Sequence, residues 1–233
     1  MNKGERNKRF LLLQVNDALF PIGGYSHSYG LETYIQKNLV TTETDTWDFL
    51  YRRLRYGFCY NEFLAGRLSF EYAARGDQAG LDRLEDLLEA GRIPRETREA
   101  GHKLGSRFVK TVSSMEIDYT SDIFARYCEN RRGKWVSHSI VYGVFCAAVG
   151  IPKEDAMEHY LYAQASSMVT NCVKTIPLSQ TSGQKLLCRC REVFQEVLDC
   201  LDGLTEEDLC LSVPGFDIRC MQHEGLYSRI YMS

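Results

Sequence analysis

Apolar residues recur at helical spacing along almost the whole chain. One stripe contains Leu81, Leu84, Leu87 and Leu88, and charged residues fill the opposite face of the same segment. Similar stripes run through residues 157–172 and 193–201. Spacings of three and four place side chains on one face of an α-helix, and no alternating run of convincing length competes. The pattern therefore predicts an all-α fold.

The chain is long enough to bury a sizeable core in one domain. We expect about nine or ten helices in a single domain that spans residues 1–233. Two regions depart from the pattern. The polar residues 1–8 are expected to be disordered, and residues 215–233 are expected to form a flexible tail that docks on a partner, because the tail carries too much apolar surface for water.

Local signals mark several helix ends. Ser26 is placed to cap a helix that runs through Leu31, and Gly150 is placed to end the apolar helix that begins near His138. Thr181-x-x-Gln184 and Thr205-x-x-Asp208 resemble capping boxes.

Composition excludes several classes of protein. Apolar residues make up 44% of the chain and charged residues 25%, which are ordinary globular values. The formal net charge of −3 gives no global attraction to nucleic acid or anionic lipid. We find no signal peptide and no membrane-length apolar stretch, and we expect a cytoplasmic protein. The one basic cluster, residues 52–55, is expected on a solvated helix face.

The nine cysteines and five histidines match no familiar catalytic or metal-binding motif. The cysteine count is odd and no Cys-x-x-Cys pair occurs, so reduced thiols are favoured over disulfides or a metal site. His223-Glu224 does not continue into H-E-x-x-H, Ser26 lacks the glycine that would complete a nucleophile elbow, and no phosphate-binding loop is present. We expect no enzymatic activity, no bound metal and no cofactor.

Three unusual segments stand out from the helical background. Residues 19–32 read LFPIGGYSHSYGLE, residues 174–184 read KTIPLSQTSGQ, and residues 223–233 read HEGLYSRIYMS. In order and spacing these segments resemble the motifs of the UreF family of urease accessory proteins. Ile230 and Tyr231 are conservative departures from that family's pattern. Lys174 stands where the family has Arg, and Ser179 where it has Gly.

The resemblance implies a non-enzymatic, all-α homodimer that acts as an assembly chaperone. Such a protein bridges a UreD-type (also called UreH-type) accessory protein and a UreG-type GTPase, and supports GTP-dependent nickel insertion into apo-urease. It also implies that partner-binding residues lie in the three segments. These residues are Pro21, Gly23, Ser26, Gly30, Glu32, Lys174, Pro177, Gln180, Gly183, Gln184, His223, Glu224, Tyr227, Ser228, Arg229 and Ser233.

A second interpretation is a metallochaperone that holds nickel itself. His27, His223 and the nearby Cys220 are the candidate ligands for that role. Metal titration of the isolated protein distinguishes the two, because a scaffold has no tight stoichiometric nickel site.

Overall fold

Helix α8 (His138–Val149) lies at the centre of the structure, a computed structural model that describes residues 2–211 and 213–233. Eleven of its twelve residues are buried. A helix that is apolar all round is stable only when other helices surround it, and here α4 (Leu64–Ala74) and α6 (Arg95–Val112) make the most extensive contacts. Gly150 ends α8 with a φ of 74°, as predicted.

The other helices pack around this centre. No β-strand occurs in the described residues, and the predicted all-α fold is confirmed. No helix within these residues is both long enough and apolar enough to cross a membrane. The remaining α-helices are α1 (Lys3–Val15), α2 (Leu31–Gln36), α3 (Glu43–Arg52), α5 (Gln78–Gly91), α7 (Ile123–Asn130), α9 (Lys153–Thr175), α10 (Gln180–Gly203) and α11 (Pro214–His223), and short 3₁₀ turns occupy Gly24–Ser26 and Glu206–Asp208.

Helices α3 and α4 are continuous through a π-helical segment, Arg53–Phe63. Its first residue corrects our expectation of a solvated basic face. Arg53 is buried, and its guanidinium carbon lies 4.7 Å from the ring centre of Phe58 and 4.9 Å from that of Phe216. Stacking on two aromatic rings compensates for part of the lost hydration of the guanidinium.

Several helix ends differ from the sequence signals. Residues 3–8, expected to be disordered, belong to α1, whose first turn is closed by reciprocal hydrogen bonds between Asn2 and Glu5. Ser26 ends a 3₁₀ turn instead of starting a helix, and α2 begins after Gly30. Helix α10 is capped by Ser179 and not by Thr181, whereas the Thr205 capping box is confirmed. Nearby polar residues compete for one cap, and packing selects among them.

Gly143 allows the close contact between α8 and α4. A methyl group at this position would overlap Ser69 Oγ and the carbonyl oxygen of Gly66, and the latter is backbone that cannot turn aside. The two helices therefore approach each other at a distance that only glycine permits.

We predict that Gly143→Ala lowers the free energy of unfolding by about 3 kcal/mol or more, because the added carbon forces the two central helices apart. Urea denaturation followed by circular dichroism measures the effect. Gly203→Ala is the matched control, since nothing lies within 4 Å of its added carbon, and it should change stability by less than about 1 kcal/mol. Equal stability of the two variants would contradict the close contact.

Candidate functional site: a C-terminal tail bound to the first motif

Residues 224–233, called the tail below, run beside the first motif, residues 19–32. The amide of Met232 donates to the carbonyl oxygen of Ser26 at 2.8 Å. The carbonyl oxygen of Ser233 accepts from the amide and hydroxyl of Ser28, at 2.6 and 2.8 Å, and from the amide of Tyr29. These bonds join the two ends of the sequence by backbone pairing.

Glu32 is the carboxylate on which this arrangement converges. It is buried in the first turn of α2. Its Oε1 accepts from the amide of Ile230 at 2.7 Å, and its Oε2 accepts from the amide of Tyr231 at 3.0 Å. One side chain thereby satisfies two neighbouring backbone donors of the tail.

His223 links Glu32 to a second carboxylate. The imidazole is fully buried at the end of α11, with Nε2 3.1 Å from Glu32 Oε2 and Nδ1 2.6 Å from Glu96 Oε2. Both contacts are with carboxylate oxygens, which accept hydrogen bonds. The other oxygen of Glu96 accepts from Arg229 at 2.7 Å. We call the four residues Glu32, His223, Glu96 and Arg229 the clasp.

Gly30 brings α11 close enough for the clasp to form. Its φ of 88° lies in the left-handed region, and a methyl group there would come within 3.0 Å of Cys220 Sγ. Any other residue would be strained in its own backbone and would push α11 away from α2. The role of Gly30 is thus to position the helix that carries His223.

His27 holds the end of the tail. Its Nδ1 lies 2.8 Å from Ser233 Oγ, and its carbonyl oxygen accepts from Asn171 of α9 at 3.0 Å. Burial lowers the pKa of His27 to about 4, with a further contribution from the positive charges of Lys103 and Arg107. The imidazole is therefore neutral near neutral pH.

Side chains at the end of the tail, from Ile230 to Ser233, alternate between solvent and the protein interior. Tyr231 and Ser233 are buried, whereas Ile230 is 76% exposed and Met232 is 56% exposed. Alternation of this kind is the geometry of an extended chain. Tyr227, earlier in the tail, is fully exposed. Tyr227, Ile230 and Met232, called the outward residues below, present apolar surface, and backbone hydrogen bonds to Glu32 and the first motif hold the last four residues of the tail.

The other predicted residues of these two segments lie around the clasp. Glu224 pairs with Arg95 at 2.7 Å, and the carbonyl oxygen of Ser228 accepts from Gln36 at 2.7 Å. Gly23, with a φ of 84°, lies where a methyl group would come within 2.6 Å of the Arg107 guanidinium. Pro21 is exposed in the turn that precedes it.

The third segment lies apart from the clasp, at the turn between α9 and α10. Lys174, Pro177, Gln180 and Gln184 are exposed there, and Gly183 is buried where a methyl group would press on Val173. Within the described residues, no hydrogen bond joins these five positions to the tail. The structure therefore unites two of the three predicted segments.

Two residues of the site have no signal in the sequence. Glu96 lies in the first turn of α6. Asn171 lies near the C-terminal end of α9, where its side-chain amide donates to the carbonyl oxygen of His27 and its backbone carbonyl oxygen lies 3.5 Å from the Tyr231 hydroxyl. Both are distant in sequence from the motifs they contact. Nothing in the surrounding sequence distinguishes either residue from an ordinary polar residue of a helix.

Residues 215–233 also differ from our expectation of a flexible segment free of its own domain. Residues 215–223 belong to α11, and the tail that follows is attached to the domain. In the structure it is bound by Glu32, by Ser28 and by the carbonyl oxygen of Ser26, and Tyr231 is buried. Hydrogen-bond donors and acceptors of the first motif and the tail satisfy one another. Water could replace these bonds only if the tail moved away and exposed Tyr231, which costs hydrophobic free energy. Truncation at Gly225 is therefore expected to destabilise the domain.

The candidate nickel ligands do not converge. His27 contacts Ser233, both nitrogens of His223 face carboxylates, and Cys220 packs against Gly30. In the part of the chain that the structure describes, no group of three or more His, Cys, Asp or Glu side chains is arranged to hold a metal ion. The metallochaperone interpretation gains no support from this geometry.

The fold and the clasp together define an all-α protein built around a self-bound C-terminal tail. The family model for UreF matches residues 40–191. Three proteins named "Urease accessory protein UreF" are similar over nearly the full length. That of Bacillus sp. (strain TB-90) is 33% identical over 229 residues, covering 97% of this chain and 100% of that protein.

The second, from Lachnoclostridium phytofermentans, is 33% identical over 227 residues, covering 95% of this chain and 97% of that protein. The third, from Haemophilus influenzae (strain Rd), is 34% identical over 222 residues, covering 95% and 94%. The chain belongs to the UreF family of urease accessory proteins, which take part in urease maturation. The resemblance inferred from the three motifs is thereby confirmed.

We predict that Glu32→Ala releases the tail. The amides of Ile230 and Tyr231 and the Nε2 of His223 would lose their acceptor, so the free energy of unfolding should fall by about 3 kcal/mol or more. Hydrogen exchange of the tail amides should accelerate by about 100-fold. Glu192→Ala, at an exposed site on α10, is the control and should leave both quantities almost unchanged. Unaltered exchange in Glu32→Ala would exclude the clasp as the tail's anchor.

We predict that stability falls as the pH is lowered from about 6.5 toward 4. The folded protein keeps His27 neutral down to a pKa of about 4, whereas the unfolded chain binds the proton below about 6.5. Stability from this group is thus complete above the upper value and lost below it. Urea unfolding across this range measures the slope, and His27→Asn should make it shallower. A slope unchanged by the substitution would show that other groups cause the loss.

Proposed function

We propose that this protein is a non-enzymatic scaffold that bridges a UreD/UreH-type accessory protein and a UreG-type GTPase and supports GTP-dependent nickel insertion into apo-urease. The observation that carries the proposal is the row of outward residues Tyr227, Ile230 and Met232. They lie exposed on a tail whose backbone is bound at Ile230 and Tyr231 by Glu32 of the clasp. Apolar side chains presented from a fixed backbone favour binding of another protein over exposure to water.

A tail that is already bound changes how the partner is recognised. Binding of a disordered segment loses conformational entropy at the moment of association. Here that entropy is lost during folding of the domain, so the partner meets a preorganised surface and more of the contact energy contributes to affinity. Arg229 belongs both to the clasp and to the exposed surface, since its guanidinium is part-exposed while it pairs with Glu96. It is therefore placed to transmit partner contact to the clasp.

The remaining parts of the proposal follow the family. We propose that the protein forms a homodimer, binds no cofactor of its own and works in the cytoplasm. All nine cysteines are free thiols, which suits a reducing compartment. The exposed positions of the third segment, Lys174, Pro177, Gln180 and Gln184, are proposed as a second contact surface, because they lie apart from the tail on the α9–α10 turn.

We predict that replacing Tyr227, Ile230 and Met232 together by Ser abolishes binding of the UreD/UreH-type partner. All three side chains are exposed, so the domain should keep its helicity and melting temperature. Co-purification of the tagged partner with each variant, and urease activity of cells that carry it, provide the two measurements.

The matched control replaces three exposed apolar residues elsewhere, Leu39, Tyr56 and Leu87, by Ser. This control variant should still bind the partner, because loss of binding is expected from the position of the removed apolar side chains and not from their number. If the tail variant still co-purifies with the partner and still supports urease activation, the tail is not the docking surface.

A further inference from the structure

Four positively charged side chains on and beside α6 have no opposite charge to balance them. Lys103, Arg107 and Lys110 are exposed on one face of α6, at spacings of four and three residues, and Lys134 is exposed in the segment before α8. The guanidinium of Arg107 also lies 3.5 Å from the carbonyl oxygen of Ile22, which is a neutral acceptor. In the described part of the chain none of the four lies within 4.0 Å of a carboxylate.

In the first half of α6, by contrast, charged side chains are paired. Arg95 pairs with Glu224, and Arg98 pairs with Glu89. Glu96 accepts from Arg229. The first half of the helix is thus balanced by carboxylates, while its second half leaves a local excess of positive charge on a protein whose net charge is −3.

Trp135 stands beside these cations and is held in one orientation. It is 58% exposed, and one face of its ring is stacked on His102, with ring centres 4.7 Å apart and planes 11° from parallel. Glu89 fixes His102 by a hydrogen bond to Nε2, and Arg131 fixes the Trp135 backbone by a bond to its carbonyl oxygen at 3.1 Å. An ordered aromatic ring with one open face is the kind of side chain that dominates binding hot spots.

The cations and the tryptophan line one shallow depression. Lys103, Arg107 and Lys134 line it together with Trp135 and Ser106. These four charged and aromatic residues are called the basic surface below. Their side chains come from two different elements, α6 and the segment between α7 and α8, so the arrangement exists only in the folded protein.

The basic surface is continuous with the tail. Lys103 also lines the neighbouring depression that contains Arg229, Ile230 and Met232. The same lysine and Arg107 are close enough to His27, beneath the end of the tail, to lower its pKa. A protein seated on the outward residues would therefore extend over the basic surface.

We propose that the basic surface binds an acidic segment of the protein that docks on the tail. Carboxylates of that segment would pair with Lys103, Arg107 and Lys134, and an apolar or planar side chain would cover the open face of Trp135. The inference rests on the proposed function. It adds that the partner which docks on the tail also carries an acidic segment that binds the basic surface.

Charge and shape favour a protein segment over other anions. Nucleic acid is held by an extended track of cations, whereas this surface is one helix turn wide and is bordered by the carboxylates of Glu89 and Glu99. A membrane surface requires an apolar face to insert, and Trp135 is the one large apolar side chain lining this depression in the described chain. An acidic peptide needs only a few cations and one aromatic contact.

Association kinetics with the purified UreD/UreH-type partner test the proposal. Lys103→Glu, Arg107→Glu and Lys134→Glu, combined, should slow association by about tenfold or more at about 50 mM salt, and should flatten the fall in rate between about 50 and 300 mM. Trp135→Ala should instead speed dissociation by about tenfold, because it removes short-range contact and no charge. Circular dichroism verifies that both variants fold.

The matched control carries the same change of charge on α1, as Lys3→Glu, Arg6→Glu and Arg9→Glu, all exposed. It should keep the wild-type rate. Equal losses in control and test variants would show a general effect of net charge and overturn the proposal, as would wild-type kinetics in the test variants.

Two further arms separate the possible anions. A single-stranded RNA of about 20 nucleotides and vesicles containing phosphatidylglycerol are offered in place of the partner, and neither should bind at about 150 mM salt. Binding of either that is lost in the triple variant would overturn the assignment to a protein segment. If the wild-type chain fails to bind the partner at all, the proposed function itself fails, and this inference falls with it.

Discussion

The carboxylate of Glu32 is the contact on which the two ends of the sequence depend. It accepts from the amides of Ile230 and Tyr231 and from the imidazole of His223, all in a buried setting. Each bond to a charged acceptor is worth about 1.5–3 kcal/mol, and an unpaired buried carboxylate would cost more than any of them. Loss of this carboxylate would therefore release both the tail and the end of α11. Glu96 and Arg229 extend the same network toward solvent.

The position of the clasp depends in turn on the π-helical segment. Arg53, at the start of that segment, lies against Phe216 of α11, and Phe216 also packs on Tyr34 and Phe49 at ring-centre distances of 5.8 and 5.9 Å. These contacts fix the base of α11, which carries His223 at its other end. π-Helical turns are uncommon and recur at functional sites, where they redirect side chains that an α-helix would point elsewhere. Here Arg53, the first residue of the segment, supports α11 through its contact with Phe216.

One face of the molecule combines these features. The outward residues Ile230 and Met232 lie next to Lys103, and Lys103 leads to Trp135 across one shallow depression. Apolar side chains on a fixed backbone supply contact area, and uncompensated cations increase the rate and the selectivity of association. The two contributions differ in range. Electrostatic attraction extends over about 10 Å at ordinary salt concentrations, whereas apolar side chains contribute only when they are in van der Waals contact. A partner would be attracted by the first and retained by the second.

The sequence by itself determined the helical class, the single domain and the family. Spacings such as Leu81, Leu84 and Leu88 reflect the α-helical repeat, which is a local property. The motifs at residues 19–32 and 223–233 are each continuous in the sequence and can be recognised without a structure. Glu32 and His223 were predicted as partner-binding residues on that basis, and in the structure they contact each other and the tail. Their partner Glu96 was not, because nothing local distinguishes an acidic residue in the first turn of a helix from any other.

Only the tertiary structure decided what each of these residues contacts. It buried Arg53, which the sequence pattern of residues 52–55 predicts on a solvated face, because Phe216 of α11 packs over it together with Phe58 of its own segment. It bound the tail to its own domain, because donors at residues 230 and 231 meet an acceptor almost 200 residues away, at Glu32. Periodicity records which face of a helix is apolar, but hydrogen bonds and ion pairs between distant segments depend on how the helices pack, and packing is settled by the whole chain at once.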